Sequence, residues 1–312
     1  MSIPGELRSL GRRGRGEHGG AASRRDNRTA YLFLLPWLIG LFAITIGPMV
    51  ASLYLSFTDY NLLTSPRWIG LDNYREMLED ARLWRSFMVT VKYVAFSVPP
   101  LLVFALLIAL VLNRGMRGLA FYRSVLYLPS MLGGSVAVAI LWRQVFGTSG
   151  IVNQLLAELG VQGAGWISNP KYALWTIILL NIWTFGSPMI IFLAGLRQVP
   201  EMYYDAAKVD GASPLRQFFT ITLPLLTPII FFNLVLQVIF AFQSFTQAFI
   251  VSGGTGGPAD STLFYTLYLY REGFAYLHMG YASAMAWFLL VVIAAFTAFN
   301  FWLSRFWVFY DD

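Results

Sequence analysis

The chain has 312 residues and a net charge of +6, and it combines 57% hydrophobic residues with only 12% charged residues. Soluble domains carry about 25% charged residues, so this composition excludes a soluble enzyme. The absence of cysteine excludes disulfides and thiolate metal sites. The two histidines, His18 and His278, have no second ligand at a useful spacing, so we predict neither a metal site nor a catalytic residue.

A basic, glycine-rich tail precedes the first apolar run. Seven arginines lie before residue 29, which could indicate nucleic acid, but such tails are typical of topology determinants that contact anionic lipids. We therefore predict no nucleic-acid partner, and a disordered cytoplasmic tail over residues 1–30. The apolar stretch after Arg28 is too long for a cleaved signal peptide, so residues 31–57 are predicted to be a retained span.

Six long charge-free stretches, of 19 to 43 residues, are distributed along the chain. A hydrocarbon core about 30 Å thick needs about 20 apolar residues in a helix, and these solidly apolar runs lack the alternation of a membrane barrel. We predict an all-α, polytopic membrane protein with a six-helix transmembrane domain over residues 31–312. The predicted spans are 31–57, 89–112, 122–142, 172–196, 224–251 and 281–303.

The distribution of cations predicts the orientation of the spans. Six crossings place both termini on one side, together with the loops that follow the second and fourth spans. That side holds 14 lysines and arginines against seven on the opposite side, with Lys92 near the outer end of the second span. Because positive residues mark the cytoplasm, we predict that both termini are cytoplasmic.

Two predicted outer loops are long enough to contain structure. Residues 58–88 include a surface helix opened by Asp72, and residues 147–171 include a short amphipathic helix. The loop after the fifth span holds the glycine-rich run 253–258, which cannot form a regular element. No phosphate-binding motif occurs there or elsewhere in the chain, so we predict that the chain does not hydrolyse nucleotide.

The predicted cytoplasmic loop over residues 197–223 has the pattern helix, glycine stop, helix. Its first helix ends at Gly211, which suits the left-handed position after a helix. Ser213 and Pro214 then restart a helix, as N-cap and first helical residue. From the residues alone, an amphipathic helix pair resting on the bilayer is an equally good interpretation of this loop.

The same loop carries a family resemblance. Its residues Asp205, Ala206, Ala207, Gly211, Leu223 and Pro224 resemble, in spacing, the EAA motif of binding-protein-dependent ABC importer permeases. Other short segments resemble the carbohydrate branch of that family: Leu35-Pro36-Trp37, Ser56-Phe57-Thr58-Asp59-Tyr60, Gly70-Leu71-Asp72-Asn73-Tyr74, Leu128-Pro129, Gly256-Gly257-Pro258 and Gly280-Tyr281-Ala282-Ser283-Ala284. Asp205 stands where the motif usually has glutamate, a change that keeps the charge.

The resemblance implies the fold and the partners of a type I ABC importer permease. The loop would be the coupling helix that docks into a cytoplasmic ATPase, where ATP and Mg are bound, and this chain itself would hold no cofactor. The expected partners are a second homologous permease, two ATPase subunits and an extracytoplasmic solute-binding protein. The expected location is a bacterial or archaeal cell (inner) membrane.

The resemblance also implies a sugar or sugar-like substrate. Glycerol-3-phosphate or another small polar solute is the alternative, and an ATP-independent channel is the alternative from a different class.

Polar residues in the fourth and fifth spans mark a candidate substrate pathway. On a continuous helix an arc of about 80°, bordered by Gln243, contains Asn233, Gln237, Phe240, Ser244 and Gln247, and the fourth span adds Asn181. Amides bond sugar hydroxyls as donors and acceptors, while ring faces cover apolar C–H surface. The alternative is that these amides bond neighbouring helices.

Overall fold

The computed structural model describes residues 31–115 and 117–309, so the predicted tail over residues 1–30 lies outside the described part of the chain. The chain divides into two compact units, one up to Tyr54 and one from Leu55 onward. Helix α1 (Tyr31–Leu55) accounts for the described part of the first unit and contains a π-helical stretch over Leu41–Ile46.

The regular elements of the second unit are helices throughout its described residues, joined by turns and irregular loops, and Thr58 and Trp68 form an isolated antiparallel bridge. Its helices are α2 (Asp72–Glu79), α3 (Ala81–Leu112), α4 (Leu119–Leu132), α5 (Val136–Val145), α6 (Ile151–Glu158), α7 (Pro170–Trp183), α8 (Gly186–Leu196), α9 (Glu201–Val209), α10 (Pro214–Phe242), α11 (Thr246–Val251), α12 (Tyr265–Tyr270) and α13 (Met279–Ser304). Helices α2 and α6 confirm the two short helices predicted between spans.

Four helices, α1, α3, α10 and α13, are long and apolar enough to cross a membrane. Two further pairs reach that length only together, α4 with α5 at a bend of 94° and α7 with α8 at a bend of 41°. The chain therefore has four candidate spans, or six if each bent pair crosses once. The predicted spans 122–142, 172–196 and 224–251 are each interrupted inside their apolar run, so none of the three is one continuous helix.

Two of the breaks have a local cause in the sequence. Between α4 and α5, Ser135 leaves the helical conformation, and its hydroxyl accepts the N–H of Val138 as the N-cap of α5. Between α7 and α8, Pro188 has no N–H to donate to the carbonyl of Thr184, four residues earlier. Hydropathy does not detect either break, because the residues at the breaks are as apolar or small as their neighbours.

Helix α3 lies at the centre of the second unit and packs against α7, α8, α10 and α12. Its buried face follows the helical repeat and includes Val94, Val98, Leu101, Ala105, Ala109 and Leu112. The core therefore forms around the second predicted span, which the structure extends towards its start, to Ala81.

The carboxylate of Asp80 connects the beginning of α3 to two later helices. Its Oδ1 accepts the backbone N–H groups of Arg82 and Leu83, which makes Asp80 the N-cap of α3. Its Oδ2 accepts the hydroxyls of Tyr268 in α12, at 2.7 Å, and Tyr281 in α13, at 2.8 Å. Burial by itself raises the pKa of Asp80, but these hydrogen bonds outweigh it and hold the pKa below its usual value.

Arg82 adds the glycine-rich loop to this arrangement. The loop between α11 and α12 is irregular, as its sequence predicts, and Asp260 in it accepts two hydrogen bonds from the Arg82 guanidinium, at 2.8 and 3.2 Å. The same guanidinium lies 5.7 Å from the centre of the Tyr268 ring. We call Asp80, Arg82, Asp260, Tyr268 and Tyr281 the Asp80 cluster.

Three of the sequence segments that resemble the family meet in space. The side-chain amide of Asn73 donates to the carbonyls of Ser56 and Thr58, both at 2.9 Å. The N–H of Gly280, in α13, donates to the carbonyl of Tyr60 at 2.9 Å, and a Cβ at Gly280 would collide with the Thr58 carbonyl oxygen. Glycine is needed there because α13 begins directly against the backbone of this loop.

Candidate functional site

A polar cavity of about 390 Å³ lies among the helix breaks of the second unit. This volume is within the range of about 300–1,000 Å³ that is typical of ligand pockets. Amides, hydroxyls, aromatic rings and backbone form its wall: Tyr93, Ser130, Gly134, Asn181, Thr184, Ser187, Pro188, Gln237, Phe240, Gln243, Ser244, Phe245, Thr246 and Gln247. No charged side chain is among these lining residues, all of which belong to the described part of the chain.

Side chains at the cavity bond the backbone groups that the helix breaks leave without helical partners. Ser130 donates to the Thr184 carbonyl and accepts the N–H of Ser187, both at 2.8 Å. The amide of Gln247 donates to the carbonyl of Gly133 at 3.2 Å. An unpaired backbone group in hydrocarbon costs on the order of several kcal/mol, so these bonds stabilise the breaks and tie them to one another.

Two glycines allow the bent pairs to approach each other beside the cavity. A Cβ added to Gly186 would lie 2.7 Å from both the carbonyl oxygen of Leu126 and the hydroxyl of Ser130. A Cβ added to Gly133 would collide with the methyl group of Thr184. A larger side chain at either glycine would push α4 away from α8 and change the shape of the cavity.

Three of the predicted pathway residues, Asn181, Gln237 and Phe240, line this cavity. The side-chain amides of Asn181 and Gln237 form no hydrogen bond with another described residue. They are therefore free to donate to and accept from a solute. The ring of Phe240 is 60% exposed, so it can cover an apolar face of the same solute.

Ser244 and Gln247 also line the cavity, but their side chains are already bonded. Gln247 Oε1 accepts the Ser244 hydroxyl at 3.0 Å and the Tyr93 hydroxyl at 3.4 Å. Its Nε2 is bonded to Gly133, so both ends of the Gln247 amide are occupied. The helical arc that predicted these two residues was calculated for an unbroken helix, whereas α10 ends at Phe242 and α11 brings Gln247 to the cavity.

The structure does not bring the sixth predicted residue, Asn233, to the cavity. Asn233 is 1% exposed, and its Nδ2 donates to the carbonyl of Ile229 in the preceding turn of α10, at 3.1 Å. Its Oδ1 is buried without a partner among the described residues. The arc placed Asn233 with Gln237 because they lie one helical turn apart, but the cavity does not extend that far along α10.

Tyr93 and Ser130, which form hydrogen bonds at the cavity, are among the lining residues that were not predicted from the sequence. Tyr93 is one of many aromatic residues and carries no local signal of its role. Ser130 follows Pro129 and precedes the glycine pair at 133 and 134, and a hydroxyl between a proline and a glycine pair inside an apolar run indicates a helix break. That pattern could have identified Ser130.

The predicted coupling loop has the backbone that its sequence predicts. Helix α9 ends at Val209, Gly211 has a φ of +71°, and Ser213 caps α10 by accepting the N–H of Arg216 at 3.4 Å. The second helix of the predicted loop continues without interruption into the predicted fifth span, so both belong to α10, which begins at Pro214 and includes Leu223.

A recess of about 500 Å³ separates α9 from the start of α10. Its lining residues are Tyr203, Ala206, Ala207, Asp210, Thr220, Ile221, Pro224, Leu225 and Phe309. Of the six predicted motif residues, the structure thus brings Ala206, Ala207 and Pro224 to one recess. Asp205 and Leu223 are outside its lining, and Asp205 pairs with Lys208 at 2.9 Å.

Large apolar side chains on the coupling loop are exposed. Met202 and Leu215 are each 69% exposed, and Val209 is 88% exposed. They lie among charged residues, so this surface is not an ordinary lipid-facing helix. Exposed apolar side chains rimmed by charges are typical of a surface that docks against another protein.

The sequence is similar to a known protein family over most of its length. The family model described as "Binding-protein-dependent transport system inner membrane component" matches residues 80–308. The chain is 54% identical, over 93% of its length and 94% of the relative's, to the probable ABC transporter permease protein YesP of Bacillus subtilis (strain 168). It is 30% identical to the lactose transport system permease protein LacF of Rhizobium radiobacter, over 88% of this chain and 93% of the relative.

A solved structure has the same fold. It is a crystal structure of a bacterial alginate ABC transporter in complex with an alginate pentasaccharide-bound periplasmic protein. The superposition has a TM-score of 0.77 and covers 91% of this chain and 96% of that chain, at 23% identity.

Proposed function

We propose a solute-import role for this chain, which belongs to the family of binding-protein-dependent transport system inner membrane components. As a member, the chain is a multi-pass membrane protein and the permease component of an ABC transporter. Beyond the family, we propose that it transports a sugar or sugar-like solute through the polar cavity. The free amides of Asn181 and Gln237, in an uncharged wall with an exposed ring, are the observation that carries this proposal.

A neutral, polyhydroxylated solute fits this wall better than a phosphorylated one. Phosphate groups are bound by arginine, lysine or clustered N–H donors, and none of the described lining residues carries a cationic side chain. Glycerol-3-phosphate therefore ranks second as a substrate class. The lactose permease among the relatives supports a saccharide.

The partners are part of the same proposal. A second homologous permease would complete the pathway, two ATPase subunits would bind ATP and Mg, and an extracytoplasmic binding protein would deliver the solute. Closure of the ATPase pair would draw the coupling loops together, and the spans would then rock around the cavity. The alginate transporter, solved with a periplasmic protein, supports this arrangement.

The proposed orientation places both termini and the coupling loop in the cytoplasm of a bacterial or archaeal cell. Because the chain contains no cysteine, single cysteines can report on sidedness without background. Arg117→Cys should react with an impermeant maleimide only after the membrane is opened, whereas Gly256→Cys should react in intact cells. The reverse pattern would exclude the six-span orientation.

The transport function is tested with the complete complex in liposomes. We expect uptake of a neutral saccharide that needs ATP on the ATPase side and binding protein on the other, with no competition from glycerol-3-phosphate. Uptake that proceeds without ATP would favour the channel alternative. ATP-driven uptake of glycerol-3-phosphate, with no uptake of saccharides, would show that the substrate class is wrong while the importer role stands.

A further inference from the structure

The segment that follows α13, over residues 305–309, reaches the coupling loop. Its last described residue, Phe309, lines the recess between α9 and α10 together with Ala206 and Ala207. Its Trp307 ring packs edge-on against Phe231 of α10, with ring centres 6.1 Å apart. A segment at the end of the last span is therefore in contact with α10, the helix that begins within the coupling loop.

The hydroxyl of Thr227, on α10, forms a hydrogen bond with this segment. Pro228 has no N–H, so the carbonyl of Pro224, four residues earlier, loses its helical partner. The Thr227 hydroxyl replaces that partner and donates to the Pro224 carbonyl at 2.6 Å. The same hydroxyl accepts the N–H of Phe309 at 2.8 Å, so it joins the proline-interrupted start of α10 to the 305–309 segment.

We propose that the 305–309 segment is a positioning element for the coupling loop, and that Thr227 and Phe309 connect it to that loop. The inference rests on the proposed import function. Phe309 forms one wall of the recess whose other walls include Ala206, Ala207 and Pro224, so the position of α9 relative to α10 depends on it. Movement of α9 would then be passed to α13 through the segment as well as to α10 through the chain.

A positioning role predicts a loss of coupling rather than a loss of assembly. In the full reconstituted complex, Thr227→Val should lower the amount of saccharide transported per ATP hydrolysed by about five-fold, the factor that one neutral hydrogen bond contributes to an equilibrium. Phe309→Ala keeps the backbone N–H that Thr227 accepts but removes the ring that lines the recess, and it should lower the same ratio several-fold. The ATPase should still co-purify in normal amount, because the exposed surface of α9 is unchanged. Thr227→Ser should restore coupling, since it keeps the hydroxyl.

Two matched controls separate this role from general stability. Phe306→Ala removes a ring from the same segment that does not line the recess. Thr176→Val removes a hydroxyl that donates to the carbonyl three residues earlier, as Thr227 does, but in α7. Both controls should keep the wild-type ratio of transport to hydrolysis.

Unchanged coupling in both Phe309→Ala and Thr227→Val would overturn the inference, and so would an equal loss in the two controls. Failure of the proposed function is distinguishable, because it would appear as absence of ATP-driven uptake in the wild-type complex.

Discussion

The Asp80 cluster and the coupling loop lie in the same helical unit but are built in opposite ways. At the Asp80 cluster, residues far apart in sequence are joined by charged hydrogen bonds, and Arg82 pairs with Asp260 across 178 positions. At the coupling loop, the ion pair between Asp205 and Lys208 spans three positions, and both side chains are more than 60% exposed. One region is fixed by the rest of the unit, and the other is held by its own backbone turn.

This difference matches what an ATP-driven permease requires of each region. Elements that dock or move are drawn from the parts of a protein with few buried contacts, as α9 is. The Asp80 cluster joins α3, α12, α13 and the glycine-rich loop by hydrogen bonds. We therefore expect changes in the Asp80 cluster to affect stability, and changes in the coupling loop to affect coupling at normal stability.

The largest expected effect comes from Asp80→Ala. The change removes the N-cap of α3, worth about 0.5–2 kcal/mol, and leaves the hydroxyls of Tyr268 and Tyr281 without their acceptor, at about 1.5–3 kcal/mol for a bond to a charged group. We expect a loss of about 3 kcal/mol or more, measured as a lower midpoint of thermal unfolding in detergent. Asp72→Ala is the matched control, because Asp72 pairs only with neighbouring Arg75 at an exposed site; equal losses would contradict the comparison.

The Asp80 cluster also predicts that the stability of the folded chain depends on pH. The pKa of Asp80 is lowered in the folded chain, so its contribution to stability is fully present above the ordinary pKa of an aspartate and is lost as pH falls through the folded value. We expect the thermal midpoint to fall more steeply below about pH 4 in the wild type than in Asp80→Asn. Parallel curves for the two proteins would show that Asp80 does not set this dependence.

Gly211→Val, in the coupling loop, should give the next largest effect. Gly211 has a φ of +71°, while a Cβ built on it meets nothing within 4 Å, so the cost is backbone strain of about 1–3 kcal/mol rather than a clash. Because nothing lies within 4 Å of the added Cβ, the exposed turn can relieve this strain by changing its own conformation. We therefore expect normal abundance and thermal stability, with loss of ATPase co-purification and of stimulated hydrolysis. Gly211→Asn, which tolerates positive φ better, should be milder; wild-type stimulation in the valine variant would make the loop a passive connector.

Substitutions in the cavity should have effects of intermediate size. Gln237→Leu should weaken transport several-fold at normal stability, because its amide is free and one neutral hydrogen bond is worth about 1 kcal/mol. Gln247→Leu should weaken transport and lower the thermal midpoint, since its amide holds the Gly133 carbonyl. Gln144→Leu, outside both the cavity lining and the coupling loop, is the control, and normal transport by both cavity variants would assign these amides to helix packing.

The sequence was sufficient for features that depend on local chemistry. Charge-free runs located the apolar helices, and a glycine followed by Ser213-Pro214 predicted the turn of the coupling loop in detail. The cavity residues Asn181 and Gln237 were predicted because a polar amide is costly in hydrocarbon and is therefore seldom present there without a role. These signals lie within a few residues of the feature they predict.

The remaining features depend on contacts between distant segments. Ser130 stabilises the break before α8 from another helix, and Gln247 reaches the cavity through a break that no hydropathy window detects. The arc calculation failed for Asn233 because it assumed one continuous wall along α10. The partners of Asp80 lie 188 and 201 positions away, and nothing near Asp80 in the sequence indicates them.

Asp205→Ala should have the smallest effect, although Asp205 occupies the charged position of the motif. Its ion pair with Lys208 joins two side chains that are 69% and 64% exposed, and ion pairs exposed to this degree contribute little to stability. The turn at Gly211 and the recess residues Ala206 and Ala207 are unchanged, so α9 should keep its position. We expect normal thermal stability and a fall in stimulated ATP hydrolysis that is clearly smaller than in Gly211→Val.

Lys208→Ala breaks the same ion pair from its other side and separates two possible roles of the Asp205 carboxylate. If Asp205 acts only through Lys208, the two variants should match; if it contacts the ATPase, Asp205→Ala alone should weaken co-purification. An effect of Asp205→Ala as large as that of Gly211→Val would show that one exposed charge, rather than the backbone turn, determines docking.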